Sequence, residues 1–362
     1  LLTIGALWVV EGVRGDRWRA AGGGGLLCGA ALGVEYSAAF AGLAIAGFVL
    51  AWLRRGRWRA GLAACLGAAL PVGLLAWYHA AVYGGPLRTG YHNAVNPEFA
   101  AKHGEGFLGL VAPSWSGVHA QLLSSEAGLL WWAPLSLAAL AGLWDMSRGP
   151  ADTALRSHAR VQLAMFVLLL LTCVSLNFDG GWRVGPRYLV AVMPALALGL
   201  AGAARWLTRA GPLAWLLTAA LLTWSAIING LAASLWPHID LSNIHQPVSE
   251  VLLPLWRAGR APYTLAGGVT LPIALGLLGL LWLLAPRGRV RVMATVVGVA
   301  AGIGMVAATR LIAPHPRSAA NLAYIERVWE PPIAGGTAPS VQLGPVAYLV
   351  DPEQAPPRST RR

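Results

Sequence analysis

Lysine is all but absent from this chain: Lys102 is the single lysine among 27 basic residues, against 15 acidic ones. Charge of either sign is scarce, at 12% of 362 residues, about half of the roughly 25% that soluble domains carry. That scarcity excludes an ordinary soluble enzyme, which could not keep so much apolar surface from water. Only three cysteines occur, Cys28, Cys65 and Cys173. Each lies in an apolar run without metal-ligand spacing and reads as a small buried hydrophobe. The glycine run Gly22–Gly25 lacks the Lys-Ser/Thr of a phosphate loop, so close helix packing is its expected use. Leu1 already lies in an apolar stretch with no charged preface or cleavage site, so that stretch is not expected to be a signal peptide, and the natural protein is expected to begin upstream.

The formal net charge of +12 could suggest nucleic acid. The arginines argue against it, because they form short clusters between apolar runs rather than one basic face. No nucleic-acid partner is expected. Hydrophobic residues make up 56% of the chain, in runs of the length a bilayer requires, about 20 residues each. Spans are expected at Leu1–Val10 (the tail of one), Ala60–Tyr83, Glu126–Trp144, Val161–Asn177, Arg187–Ala204, Gly211–Leu231, Thr264–Ala285 and Val292–Ala313. The run at 22–53 is too long for one crossing and reads as a hairpin of two short helices turning near Glu35. The expected fold is all-α, a polytopic transmembrane bundle of about ten membrane segments. Residues 1–313 would form the membrane domain. Residues 314–362 would form a short, irregular, partly disordered tail, with a possible strand at Val341–Val350.

Orientation follows from arginine, which collects on cytoplasmic loops. One set of alternate loops holds fifteen, from Arg14 to Arg291. The opposite set holds six basic residues: Arg88, Lys102, Arg183, Arg187, Arg257 and Arg260. The parity works only if the 22–53 run crosses twice. It puts the loop 84–125, the connection 178–186, the segment 232–263 and the tail outside the cytoplasm.

Candidate functional residues gather in those outer segments. The first loop carries Arg88, Tyr91, His92, Glu98, Lys102, His103 and Glu105, which suit either a substrate site or a solvated connector. The stretch Asn177–Tyr188 places Asp179, Arg183 and Arg187 at the mouths of two spans. A guanidinium at that depth can meet a phosphate bidentately, or else snorkel to lipid headgroups or pair with Asp179. Glu35 is the lone acid of the 22–53 run, and an ionisable group there is a functional candidate unless it simply touches solvent at the turn. His238, Asp240 and His245 have no regular ligand spacing, and no metal is assigned to them.

Four segments in order resemble the later part of bacterial GT-C type membrane glycosyltransferases, relatives of the protein mannosyltransferases and of the aminoarabinose transferase of lipid A. They are Gly29–Ser37 (GAALGVEYS), Tyr78–Tyr91 ending in GGPLRTGY, the Pro-centred run Gly128–Gly142, and GGWRVGPRYLVAVMPALAL at Gly180–Leu198. Pro237–Ala285 is similar to an extension in an uncharacterised branch. The resemblance implies transfer of a sugar from a polyprenyl-phosphate donor to an envelope lipid, glycan or protein, on the outer face of the bacterial cytoplasmic membrane, without a cofactor. It also implies an acidic catalytic pair in an outer loop expected upstream of Leu1. Arg187 and Arg183 would hold the carrier phosphate, with Asp179, Tyr188, Glu35, Arg88, Tyr91 and His103 lining the substrate site. Many relatives have a basic residue where this chain has Glu35-Tyr36, so the hairpin is not expected to bind phosphate. Two rivals stay open. A flippase or transporter should show inverted repeats and mid-bilayer charges, and neither is evident in the sequence. A non-catalytic subunit of the same fold is distinguished only by the upstream acidic pair.

Overall fold

In the computed structural model the described residues are 1–93, 97–106, 109–149, 154–176, 183–236, 243–258, 276 and 288–328. The apolar runs fold as helices because in lipid each backbone polar group must be satisfied within its own segment. Helices α1 (Leu2–Arg14), α2 (Trp18–Val34), α3 (Ala38–Leu53) and α4 (Trp58–Tyr83) come first. Two short helices, α5 (Pro97–Gly104) and α6 (Trp115–Leu122), lie in the long loop. Then follow α7 (Leu129–Trp132), α8 (Ser136–Ser147), α9 (Ala154–Val174), α10 (Met193–Leu207), α11 (Pro212–Leu235), α12 (Leu253–Arg257), α13 (Arg289–Ala308) and α14 (Ser318–Val328). Among the described residues there is no strand, only a lone antiparallel bridge between Leu110 and Leu176.

Among the described residues five helical stretches are long and apolar enough to cross a membrane: Trp58–Tyr83, Ala154–Val174, Arg187–Leu207, Pro212–Leu235 and Arg289–Leu311. The regular structure of the described residues is thus all helical, with the long apolar helices of an integral membrane protein. Of the expected ten segments, α1, α2, α3 and α8 are shorter than a full crossing, at 13, 17, 16 and 12 residues, and the run Thr264–Ala285 lies outside the described residues. On α4 the apolar surface faces outward: Leu62, Leu66, Leu70 and Leu74, four residues apart, are 49–62% exposed. A continuous leucine stripe of this kind belongs against acyl chains.

Small residues bring helices together in parallel pairs, α2 with α4, α8 with α10 and α11 with α13. A Cβ at Gly25 would stand 2.0 Å from the Ala64 carbonyl, and one at Gly67 would stand 2.1 Å from that of Gly22. The glycine run therefore serves packing on two sides, since Gly24 abuts Val9 and Gly5 of α1. In the same way Gly142 of α8 meets Gly199 of α10, and Gly298 and Gly302 of α13 meet Leu216 and Ala220 of α11. The expected hairpin at 22–53 does turn at Glu35–Ser37, but its arms part: α2 packs on α1 and α4, while α3 packs on α9.

The expected span Glu126–Trp144 is not one helix. It breaks between α7 and α8, where Pro134 has no N–H to continue the ladder. The break frees the carbonyls of Trp131 and Trp132. Trp224 Nε1 and Asn229 Nδ2, both on α11, donate to them at 2.7 and 2.8 Å. Within the tail, α14 is helical and its Ile325 is buried. The expected strand Val341–Val350 lies outside the described residues.

The two sets of alternate loops collect at opposite ends of the bundle. At the arginine-rich end Arg14 donates to Ser157, Arg160 to the Ser147 carbonyl and Arg291 to the Thr208 carbonyl. At the other end Ser125 donates to the His245 carbonyl, Gly185 to that of Glu126 and Asn321 to that of Asn243.

Candidate functional site

Arg183 and Arg187 flank a turn built on Gly185, whose φ of +79° a side-chain-bearing residue adopts only under strain. The Gly185 carbonyl accepts from the Arg183 guanidinium and, at 2.9 Å, from the Arg187 backbone N–H. One carbonyl thus fixes both arginines. Their guanidinium carbons lie 5.4 and 6.0 Å from the centre of the Tyr188 ring, within cation–π range. Arg183 is buried and Arg187 is exposed, so the first secures the turn while the second can reach outward.

Glu35 stands half-buried at the end of α2. Glu35 and Tyr91 are both close enough to Tyr188 to act on it electrostatically, and Glu35 and Arg183 both act on Cys173. Tyr91 stacks on His103 with ring centres 4.5 Å apart. Six of the expected residues therefore share one region at the arginine-poor end: Arg183, Arg187, Tyr188, Glu35, Tyr91 and His103. Arg88 is different. Its side chain lies back along Gly84 and Gly85 over the end of α4. Asp179 lies outside the described residues, as do His238 and Asp240. Among the described residues no three His, Cys, Asp or Glu side chains are placed to hold a metal ion. His245 instead faces the Ala313 carbonyl at 3.4 Å through Nδ1.

Two residues of this region were not singled out from the sequence. His79, near the end of α4, is buried and holds Tyr36 through a 3.0 Å hydrogen bond. Its other ring nitrogen, Nδ1, faces the Pro86 carbonyl at 3.3 Å. A carbonyl only accepts, so Nδ1 carries the proton and Nε2 accepts from the Tyr36 hydroxyl. Burial, with Tyr91, Tyr78 and Glu35 adding to it, holds the Tyr36 phenol above its ordinary range, so it remains a donor at neutral pH. Tyr36 also meets Tyr91 edge-on at 6.2 Å. The loop 84–91 is thereby tied to the α2–α3 turn. A histidine inside an otherwise apolar run was the available signal.

A comparison with known protein families, characterised proteins and solved structures finds no match.

Proposed function

We propose that this protein is a membrane glycosyltransferase of GT-C type, which moves a sugar from a polyprenyl-phosphate donor to an envelope lipid, glycan or protein on the non-cytoplasmic side. The reading joins the resemblance in four segments to one observation: Arg183 and Arg187, fixed by a single carbonyl against Tyr188, beside Glu35 and Tyr91. In such a transfer the bond between the sugar's anomeric carbon and the phosphate oxygen breaks, and the phosphate departs with the electron pair. An acceptor hydroxyl closes on the same carbon and surrenders its proton to a base. Cations that meet the phosphate as its charge grows lower the barrier more than they hold the ground state. Arg187 is the exposed cation of the pair and takes that role; Arg183 keeps the turn in place. The base belongs to the acidic pair that the resemblance puts in an outer loop.

The test is sugar transfer by the full-length protein in membranes, with Arg187→Ala compared with wild type. Transfer is expected to fall by a hundredfold or more, in line with the loss of a transition-state donor, while the amount inserted stays the same. Undiminished transfer would remove Arg187 from the mechanism.

A further inference from the structure

The arginine-rich end holds a second charged feature that the proposed reaction does not use. At the arginine-rich ends of α8 and α10, beside the close contact of Met146 with Gly202, lies an open cavity of about 550 Å³. It is lined by Asp145 on α8 and by Ala201, Ala204, Arg205 and Arg209 on and just beyond α10. That volume lies within the roughly 300–1,000 Å³ of small-ligand pockets. Ala201, Ala204 and Arg205 are exposed, so the cavity opens sideways from the bundle, toward lipid.

Arginines at a helix end often serve only to cap carbonyls. Here that work is already done. The Ala204, Trp206 and Leu207 carbonyls accept from the backbone of Thr208, Arg209 and Ala210. Thr208 Oγ1 donates to the Arg205 carbonyl at 2.8 Å, and Arg291 takes that of Thr208 at 3.1 Å. Among the described residues neither the Arg205 nor the Arg209 guanidinium has an ion-pair partner. Two forked cations therefore stand at the rim of a laterally open cavity with their donors unspent. Arg291 at the Thr208 carbonyl and Arg148, 4.3 Å over the Trp144 ring, keep the surroundings positive despite Asp145. Trp144 and Trp206 are 51% and 42% exposed beside it, as side chains at the membrane–water boundary are.

We propose that this cavity binds the phosphodiester headgroup of an anionic glycerophospholipid of the surrounding membrane, gripped by Arg205 and Arg209, with the acyl chains lying along the exposed faces of α8 and α10. A basic pocket between spans on the arginine-rich side is the setting in which anionic headgroups are held. The planar guanidinium suits a phosphodiester bidentately. The lateral opening favours a lipid over a free anion from solution. This inference does not rest on the proposed reaction, and either can fail alone.

The experiment is binding of dioleoyl phosphatidylglycerol to the purified full chain in detergent, read by native mass spectrometry. Dioleoyl phosphatidylcholine and glycerol 3-phosphate are the comparison ligands, and wild type is set against the Arg205→Gln/Arg209→Gln double variant and against Arg54→Gln. Phosphatidylglycerol is expected to bind wild type at least tenfold more tightly than phosphatidylcholine. The double variant should lose about tenfold or more of that affinity, from two basic residues at the surface, while Arg54→Gln keeps it. Equal binding of the two lipids, undiminished binding by the double variant, or the same loss in Arg54→Gln overturns the site. So does displacement of the lipid by glycerol 3-phosphate at equal concentration, which would mark a soluble-phosphate site. The altered side chains are exposed, and an unchanged elution volume checks that the double variant folds.

Discussion

The Tyr36 hydroxyl donates to His79 Nε2 at 3.0 Å, and this one bond joins the α2–α3 turn to the end of α4. It matters because Glu35 precedes Tyr36 and Tyr91 packs against it, so the positions of both follow from the bond. Removing the hydroxyl in Tyr36→Phe leaves a buried imidazole nitrogen without its donor, at a cost of about 1–3 kcal/mol. The expected result is a lower midpoint of thermal unfolding in detergent and faster hydrogen exchange across residues 84–91. Unaltered exchange there would separate the bond from the loop.

The seam between α8 and α10 has no room for a side chain. A Cβ at Gly142 would lie 2.1 Å from the Gly199 carbonyl, whereas one at Gly73 meets nothing within 4 Å. Gly142→Val is expected to destabilise the protein by more than about 2 kcal/mol through backbone displacement. Gly73→Ala should be neutral or slightly stabilising, because alanine is the better helix former. Thermal unfolding of the two variants side by side checks the contrast.

Glu250 is buried, and its carboxylate accepts three backbone N–H groups: His245 at 2.9 Å, Gln246 at 2.6 Å and His315 at 3.0 Å. The last bond fastens the segment before α14 to the segment before α12. Glu250→Ala should release that contact, with a loss of about 2–3 kcal/mol. Limited proteolysis is expected to cut between 313 and 328 in the variant well before the wild type is cut.

At the opposite end Glu11 accepts from His158 at 2.8 Å and from Arg17 at 3.0 Å. The His158 hydrogen bond, then the charges of His158, Arg17 and Arg14, hold the Glu11 carboxyl below its ordinary value of 4.5, against the opposing effect of burial. A carboxyl lowered in the folded state adds stability that is fully present above 4.5 and is lost as pH falls through the lowered value. The difference in unfolding midpoint between wild type and Glu11→Gln should therefore shrink as pH falls below 4.5. A difference that keeps growing below that pH would contradict the assignment.

Much of the bundle was legible as apolar periodicity broken by arginine, and the grouping of alternate loops at two ends agrees with the arginine count. The broken span was not legible. Pro134 is tolerated within many membrane helices, and the outcome here depends on Trp224 and Asn229, about ninety residues further on, which take up the freed carbonyls. The region around Tyr188 was partly legible, since Arg183, Arg187, Glu35, Tyr91 and His103 each stand out as polar letters at span ends. Arg88 stood out equally, and its side chain runs back over the end of α4, a direction that a composition signal does not give. His79 and Glu250 went unmarked for the opposite reason. Each acts through partners distant in sequence, Tyr36 for the one and His315 for the other.

The central claim, that Arg187 holds the phosphate of a lipid carrier, is tested most directly by comparing two ligands that differ only in that group. Binding of undecaprenyl phosphate and of undecaprenol to the purified protein should differ by tenfold or more in favour of the phosphate, and Arg187→Ala should erase the difference, since a hydrogen bond to a charged group contributes about 1.5–3 kcal/mol. Equal affinity of wild type for the two, or a preference that survives in Arg187→Ala, would contradict it.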